Sequence, residues 1–93
     1  MYAVVGQVKV DSAREGDARK LLQEFTVPSA KGLEGFNNGY WARAMDGDAG
    51  HSFLLFDSEA NARAAAERIA HGPPPDAPVM FTSVTVCEVV AQT

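Results

Sequence analysis

The sequence predicts an α+β fold, βαββαβ, built on one four-stranded antiparallel sheet and folding as a single domain over residues 1–93. Three observations carry this expectation. Two runs rich in aromatic and aliphatic residues, Phe36 to Met45 and His51 to Phe56, are split by Asp46-Gly47-Asp48-Ala49-Gly50, which reads as a hairpin. Directly after them, Ala62, Ala65, Ala66 and Ile69 recur at spacings of three and four, the period of a helix. The chain ends, Tyr2 to Val10 and Val79 to Ala91, read as further strands. The order strand, helix, strand, strand, helix, strand then sets the first and third strands side by side at the centre.

Taken in order, Tyr2 to Val10 alternates, with Val4, Gly6, Val8 and Val10 on one face and Ala3, Val5, Gln7 and Lys9 on the other. Gly6 leaves a gap that suits close approach of a helix or another backbone. Asp11 and Ser12 are both good helix caps, and Arg14 to about Thr26 carries Ala18, Leu21, Leu22 and Phe25 at helical spacing, with Glu15 and Arg19 paired on the solvated side. Pro28 is expected to stop this helix, because the residue before a proline is pushed out of the helical region. Ser29 to Gly35 then reads as a loop. After the hairpin, Ser58 caps the second helix. His71 to Pro78 holds four prolines and reads as a stiff connection; Pro75 to Pro78 formally matches a P-x-x-P pattern but reads as a spacer.

The third strand is apolar front and back, with Phe53 and Leu55 on one face and Leu54 and Phe56 on the other. Such a strand is covered on both sides. Two helices can blanket one face of a small sheet and not both, so the second face needs another cover. A domain of 93 residues has little stability to spare, and burying that face helps.

Composition excludes several function classes. Hydrophobic residues at 46% and charged residues at 22% are ordinary for a folded globular chain and argue against disorder. A formal charge of −4, with the basic residues spread along the chain, argues against nucleic acid as a partner. No apolar run approaches the roughly 20 residues that cross a bilayer, and a strand pattern begins at Tyr2, so no membrane association or signal peptide is expected and the cytoplasm is the default location. Cys87 is the only cysteine and reads as a small buried apolar side chain among Val84, Val86, Val89 and Val90. Asp46 to Gly50 begins like a calcium loop, but His51 stands where its glycine is needed and Asp57 where its glutamate is needed, so it reads as a turn. No metal-ligand spacing, phosphate cradle or nucleophile elbow occurs.

Gly35-Phe36, Gly39-Tyr40-Trp41-Ala42-Arg43-Ala44, Asp46-Gly47 and Leu54-Leu55-Phe56-Asp57-Ser58-Glu59 resemble the dimeric α/β-barrel superfamily, and within it the small proteins similar to antibiotic biosynthesis monooxygenases. The resemblance implies a ferredoxin-like subunit that pairs sheet to sheet with a second copy, closing a barrel whose interior holds a small aromatic ligand. A homodimer would supply the missing cover. The superfamily includes cofactor-free oxygenases of aromatic polyketides, haem-degrading enzymes, isomerases and proteins of no assigned activity, so the fold alone names no reaction. Haem handling in it uses a histidine and a tryptophan on or near helices, whereas the second helix here has no tryptophan and only His71 at its end.

A cofactor-free oxygenase needs a pocket that excludes water from an oxidisable phenol or anthrone, a group that favours its anion, and polar groups near bound oxygen. No metal and no cofactor are expected. Trp41, Arg43 and His51 are the catalytic candidates: an indole stacks on an aromatic substrate, a guanidinium steadies an oxyanion and an imidazole accepts a proton. Asn37, Asn38 and Tyr40 are the ligand-binding candidates. On one strand Asn37, Trp41 and Arg43 share one face and Asn38 and Tyr40 the other, and the pattern leaves open which set meets the cavity. The structural alternative makes Trp41 core or dimer filling, Arg43 a surface or interface charge and His51 an exposed imidazole. The functional alternative is a ligand-binding or structural dimer without turnover.

Overall fold

The structure, a computed structural model, describes residues 1–73 and 76–93; the start of the P-x-x-P pattern at Pro75 lies outside the described residues. Four strands, β1 (Tyr2–Val10), β2 (Phe36–Arg43), β3 (Ala49–Phe56) and β4 (Val79–Glu88), form one antiparallel sheet in the order β2-β3-β1-β4. The first and third strands are central, as the element order predicts. The helical layer comprises α1 (Glu15–Leu21), a π turn (Leu22–Thr26) and α2 (Val27–Lys31) as one arm, and α3 (Glu59–Ala70) as the other.

Register assigns each residue a face, because directly opposed residues of an antiparallel pair point the same way. Val4 opposes Leu54 and Val86, and Tyr2 opposes Phe56, all on the helix side. There Val4, Leu54 and Phe56 bury against Ala62 and Ala65 of α3. Two alanines let α3 lie close, and the Ser58 hydroxyl fixes its start by accepting the Asn61 N–H at 3.2 Å. Phe36 meets Phe56 edge to face, with ring centroids 5.8 Å apart. Ala3, Val5, Phe53 and Leu55 lie on the opposite face, which no helix among the described residues covers.

The first helical arm departs from expectation. It runs past Pro28 to Lys31, so the proline does not end it and Ser29 to Lys31 is helix, not loop. In an α-helix, the ring of Pro28 would press on the carbonyl four residues back. The π turn loosens that register, with the Val27 N–H bonded to the Leu22 carbonyl five residues back, and Pro28 falls in the opening turn of α2, where prolines are tolerated. The wide turn carries one extra residue, and the apolar stripe slips by one. Phe25, expected in the core, is 60% exposed, and Thr26 takes the inward position.

Two strands end early. β2 stops at Arg43 and Met45 is exposed; β4 stops at Glu88, which pairs with Tyr2, the first residue of β1, and beyond it the Val89 N–H donates to the Met1 carbonyl at 3.0 Å. The gap at Gly6 is filled by a side chain, since a Cβ there would lie 2.6 Å from the Ser52 hydroxyl. Cys87 is only partly buried and opposes Ala3 on the uncovered face.

Candidate functional site

The two helical arms treat the sheet differently. α3 packs through Ala62 and Ala65, whereas no residue from Glu15 to Thr26 is buried. The α1 and π-turn part of the first arm therefore stands off the sheet, whereas α2 buries Ala30, and the gap beneath that part is a cavity of about 430 Å³. This lies in the range of small-molecule sites. Its roof is Ala18, Leu21, Leu22 and Thr26; its floor is Val8, Val10, Trp41, Ser52 and Phe81. The π turn forms part of the roof, and such turns recur at functional sites.

The register settles which β2 residues meet the cavity. Phe36, Gly39, Trp41 and Arg43 oppose Phe56, Leu54, Ser52 and Gly50 on the helix side, while Asn38, Tyr40 and Ala42 oppose Leu55, Phe53 and His51 on the other. A bulge between Phe36 and Asn38 breaks the alternation, so Asn37 does not simply share the parity of Trp41. The structure thus brings Trp41 and Arg43 together at the cavity. Asn37 and Asn38 border a second, smaller chamber of about 330 Å³ with Val27, Lys31, Phe36 and Trp41. Tyr40, 66% exposed, stands on the open face away from both. His51 borders the first cavity, but its register turns the exposed imidazole to the open face.

One carboxylate organises the charge at the mouth. Glu15 Oε1 accepts from Arg43 Nη1 and, at 3.4 Å, from Arg19 Nη2. Two guanidiniums share one carboxylate, which leaves a positive charge over at the rim of an apolar cavity in a chain of net charge −4. All three side chains are partly solvated, so these pairs hold weakly. Sequence spacing reveals the Glu15–Arg19 pair as a helix-surface contact. It does not reveal that Arg43 reaches the same carboxylate from another element, nor that Thr26 lines the roof. Among the described residues, no three of His, Cys, Asp and Glu come together as a metal site.

No family model matches the chain, and no curated protein matches it. Solved structures do. The haem degrader MhuD from Mycobacterium tuberculosis, with two haems bound in its active site, superposes with a TM-score of 0.78 at 16% identity, covering 100% of this chain and 99% of its own. A protein assigned as an antibiotic biosynthesis monooxygenase from Deinococcus radiodurans gives 0.68 at 12% identity, covering 100% and 96%. The monooxygenase ActVA-Orf6 of Streptomyces coelicolor, in complex with nanaomycin D, gives 0.64 at 16% identity, covering 99% and 89%. The chain shares the ferredoxin-like fold of these three proteins over 99–100% of its length. Likeness at 12–16% identity establishes shared architecture; chemistry must come from the residues.

Proposed function

We propose that this protein binds a planar phenol or anthrone-like molecule in the cavity beneath α1 and the π turn and oxidises it with molecular oxygen, acting in the cytoplasm as a homodimer. The observation that carries the reading is the meeting of Trp41 and Arg43 at an apolar, helix-roofed cavity whose mouth has a surplus positive charge. Two neighbours lend support. One is a haem degrader and another a monooxygenase that takes a polycyclic ligand, nanaomycin D.

For an anthrone the chemistry balances without a further reductant. Loss of a methylene proton to solvent gives an anion whose charge sits largely on oxygen, where Arg43 holds it by a charge-assisted bond. The electron-rich carbon then bonds to oxygen. Cleavage of the O–O bond leaves one oxygen atom in a new carbonyl and releases the other as water, so anthrone and O₂ give anthraquinone and H₂O. Trp41 stacks on the ring system beneath the apolar side chains of Ala18, Leu21 and Leu22.

The open sheet face supports the dimer. Phe53 is 41% exposed and Met80 is 60% exposed, beside Val5, Leu55 and Tyr40 on the same face. Gln7, Lys9, His51 and Thr85 share that face, so its apolar patch is concentrated around Val5, Phe53 and Leu55; such a patch marks an interaction surface, and a second copy of the same sheet covers it.

Oxygen uptake with anthrone and simple phenols tests the reaction. Arg43→Gln should lower kcat/KM by about tenfold or more, as loss of one oxyanion donor does, with fold intact by circular dichroism. Trp41→Ala should mainly raise KM. Rates equal to wild type in both variants would remove these residues from the mechanism, and binding without uptake would favour a ligand-binding dimer.

A further inference from the structure

The two chambers share a single residue. Trp41 lines both, and no other side chain among the described residues does. Their roofs are continuous in sequence, since Thr26 belongs to the larger chamber and Val27 to the smaller. Their floors are continuous too, because Gly39, Trp41 and Arg43 follow one another along the helix-facing side of β2. The larger and smaller chambers thus adjoin at the indole of Trp41, between the first helical arm and the sheet.

The position of that indole is fixed by its neighbours. A Cβ on Gly39 would lie 3.4 Å from Trp41 Cη2 and 2.7 Å from Leu54 Cδ2, so the ring lies close over bare backbone. Trp41 also packs against the core formed by Val4, Leu54 and Phe56.

Resting on the reading that the cavity takes phenols, we infer that Trp41 is a specificity-determining partition. It restricts the protein to compact fused aromatics held at the Arg43 end and shuts out elongated phenols that would extend toward Lys31 and Asn37. Such a wall explains why both chambers exist but neither alone spans the arm. Its removal should lengthen the ligands accepted without touching the charged mouth.

The test compares wild type, Trp41→Phe and Trp41→Ala by isothermal titration calorimetry with 2-naphthol as the compact probe and trans-resveratrol as the elongated one. Wild type should prefer 2-naphthol by about tenfold or more, the scale on which pocket walls discriminate ligand size. Trp41→Ala should gain about tenfold for resveratrol while losing affinity for 2-naphthol, and Trp41→Phe should fall between. Should Trp41→Ala fail to fold, the conservative Trp41→Phe still decides, through the same ratio. A ratio of affinities unchanged across the folded variants would overturn the partition while leaving phenol binding in place. No binding of either probe to any of the three proteins would overturn both. Trp41 is the chain's only tryptophan, so a change in wild-type emission on adding 2-naphthol independently places the probe at the wall.

Discussion

Gly35 shows how a single residue sets up the site's far end. It adopts φ +74°, and its carbonyl accepts the Asp57 N–H at 3.0 Å, tying the entry of β2 to the exit of β3. The Asp57 carboxylate then accepts from the Asn61 side chain at 2.9 Å, and a Cβ on Gly35 would collide with both of these groups. Gly35→Ala should therefore cost about 1–2 kcal/mol for the left-handed backbone alone, more with the displaced hydrogen bond, lowering Tm by several degrees. A thermal melt within a degree of wild type would contradict the assignment. At the same scale, Arg43 acquires meaning only through Glu15 and Arg19, which lie more than 20 positions earlier in the chain. Its type and strand parity are legible in the sequence, whereas its partners follow from how the first arm is laid across the sheet.

Between residues and fold stands the helical arm of α1, π turn and α2. Spacing alone places Phe25 in its apolar stripe, but the extra residue of the π turn rotates Phe25 outward. The consequence is measurable. Phe25→Ser should change the unfolding free energy by less than about 0.5 kcal/mol in urea, as surface substitutions do, whereas a core phenylalanine would cost about 3–5 kcal/mol when truncated. A large loss would show that the stripe runs straight and that no π turn is present. The same irregularity accommodates Pro28 and supplies Leu22 and Thr26 to the roof of the cavity, while the helix that continues past the proline buries Ala30.

For the molecule as a whole, the decisive feature is a sheet with helices on one side only. Phe53 and Leu54 are adjacent in sequence and opposite in fate: Leu54 is 4% exposed beneath α3, while Phe53 is 41% exposed on the bare face. Leu54→Asp should abolish folding, because it sets an unpaired charge in the core of a domain whose whole stability is a few kcal/mol. Phe53→Asp should leave a folded monomer. Sedimentation of wild type as a dimer and of Phe53→Asp as a folded single chain is the expected pair of results; a wild-type monomer at micromolar concentration would refute the sheet-to-sheet assembly. The cavity lies within one chain, between its own helical arm and sheet, so Phe53→Asp should retain binding of 2-naphthol if it keeps its fold.

The element order, the central position of β1 and β3, the cap at Ser58 and the two-sided apolar character of β3 are all legible in the sequence, because periodicity and capping are local properties of neighbouring residues. So is the choice of Trp41 and Arg43 as residues of interest. Which face of β2 meets a cavity, where that cavity lies and which carboxylate answers Arg43 were decided by the tertiary structure alone. The reason is physical: a bulge in β2 and a π turn in the first arm each add one residue, and the added residue shifts the phase of everything that follows it. Such phase shifts become visible only when the elements are packed against one another.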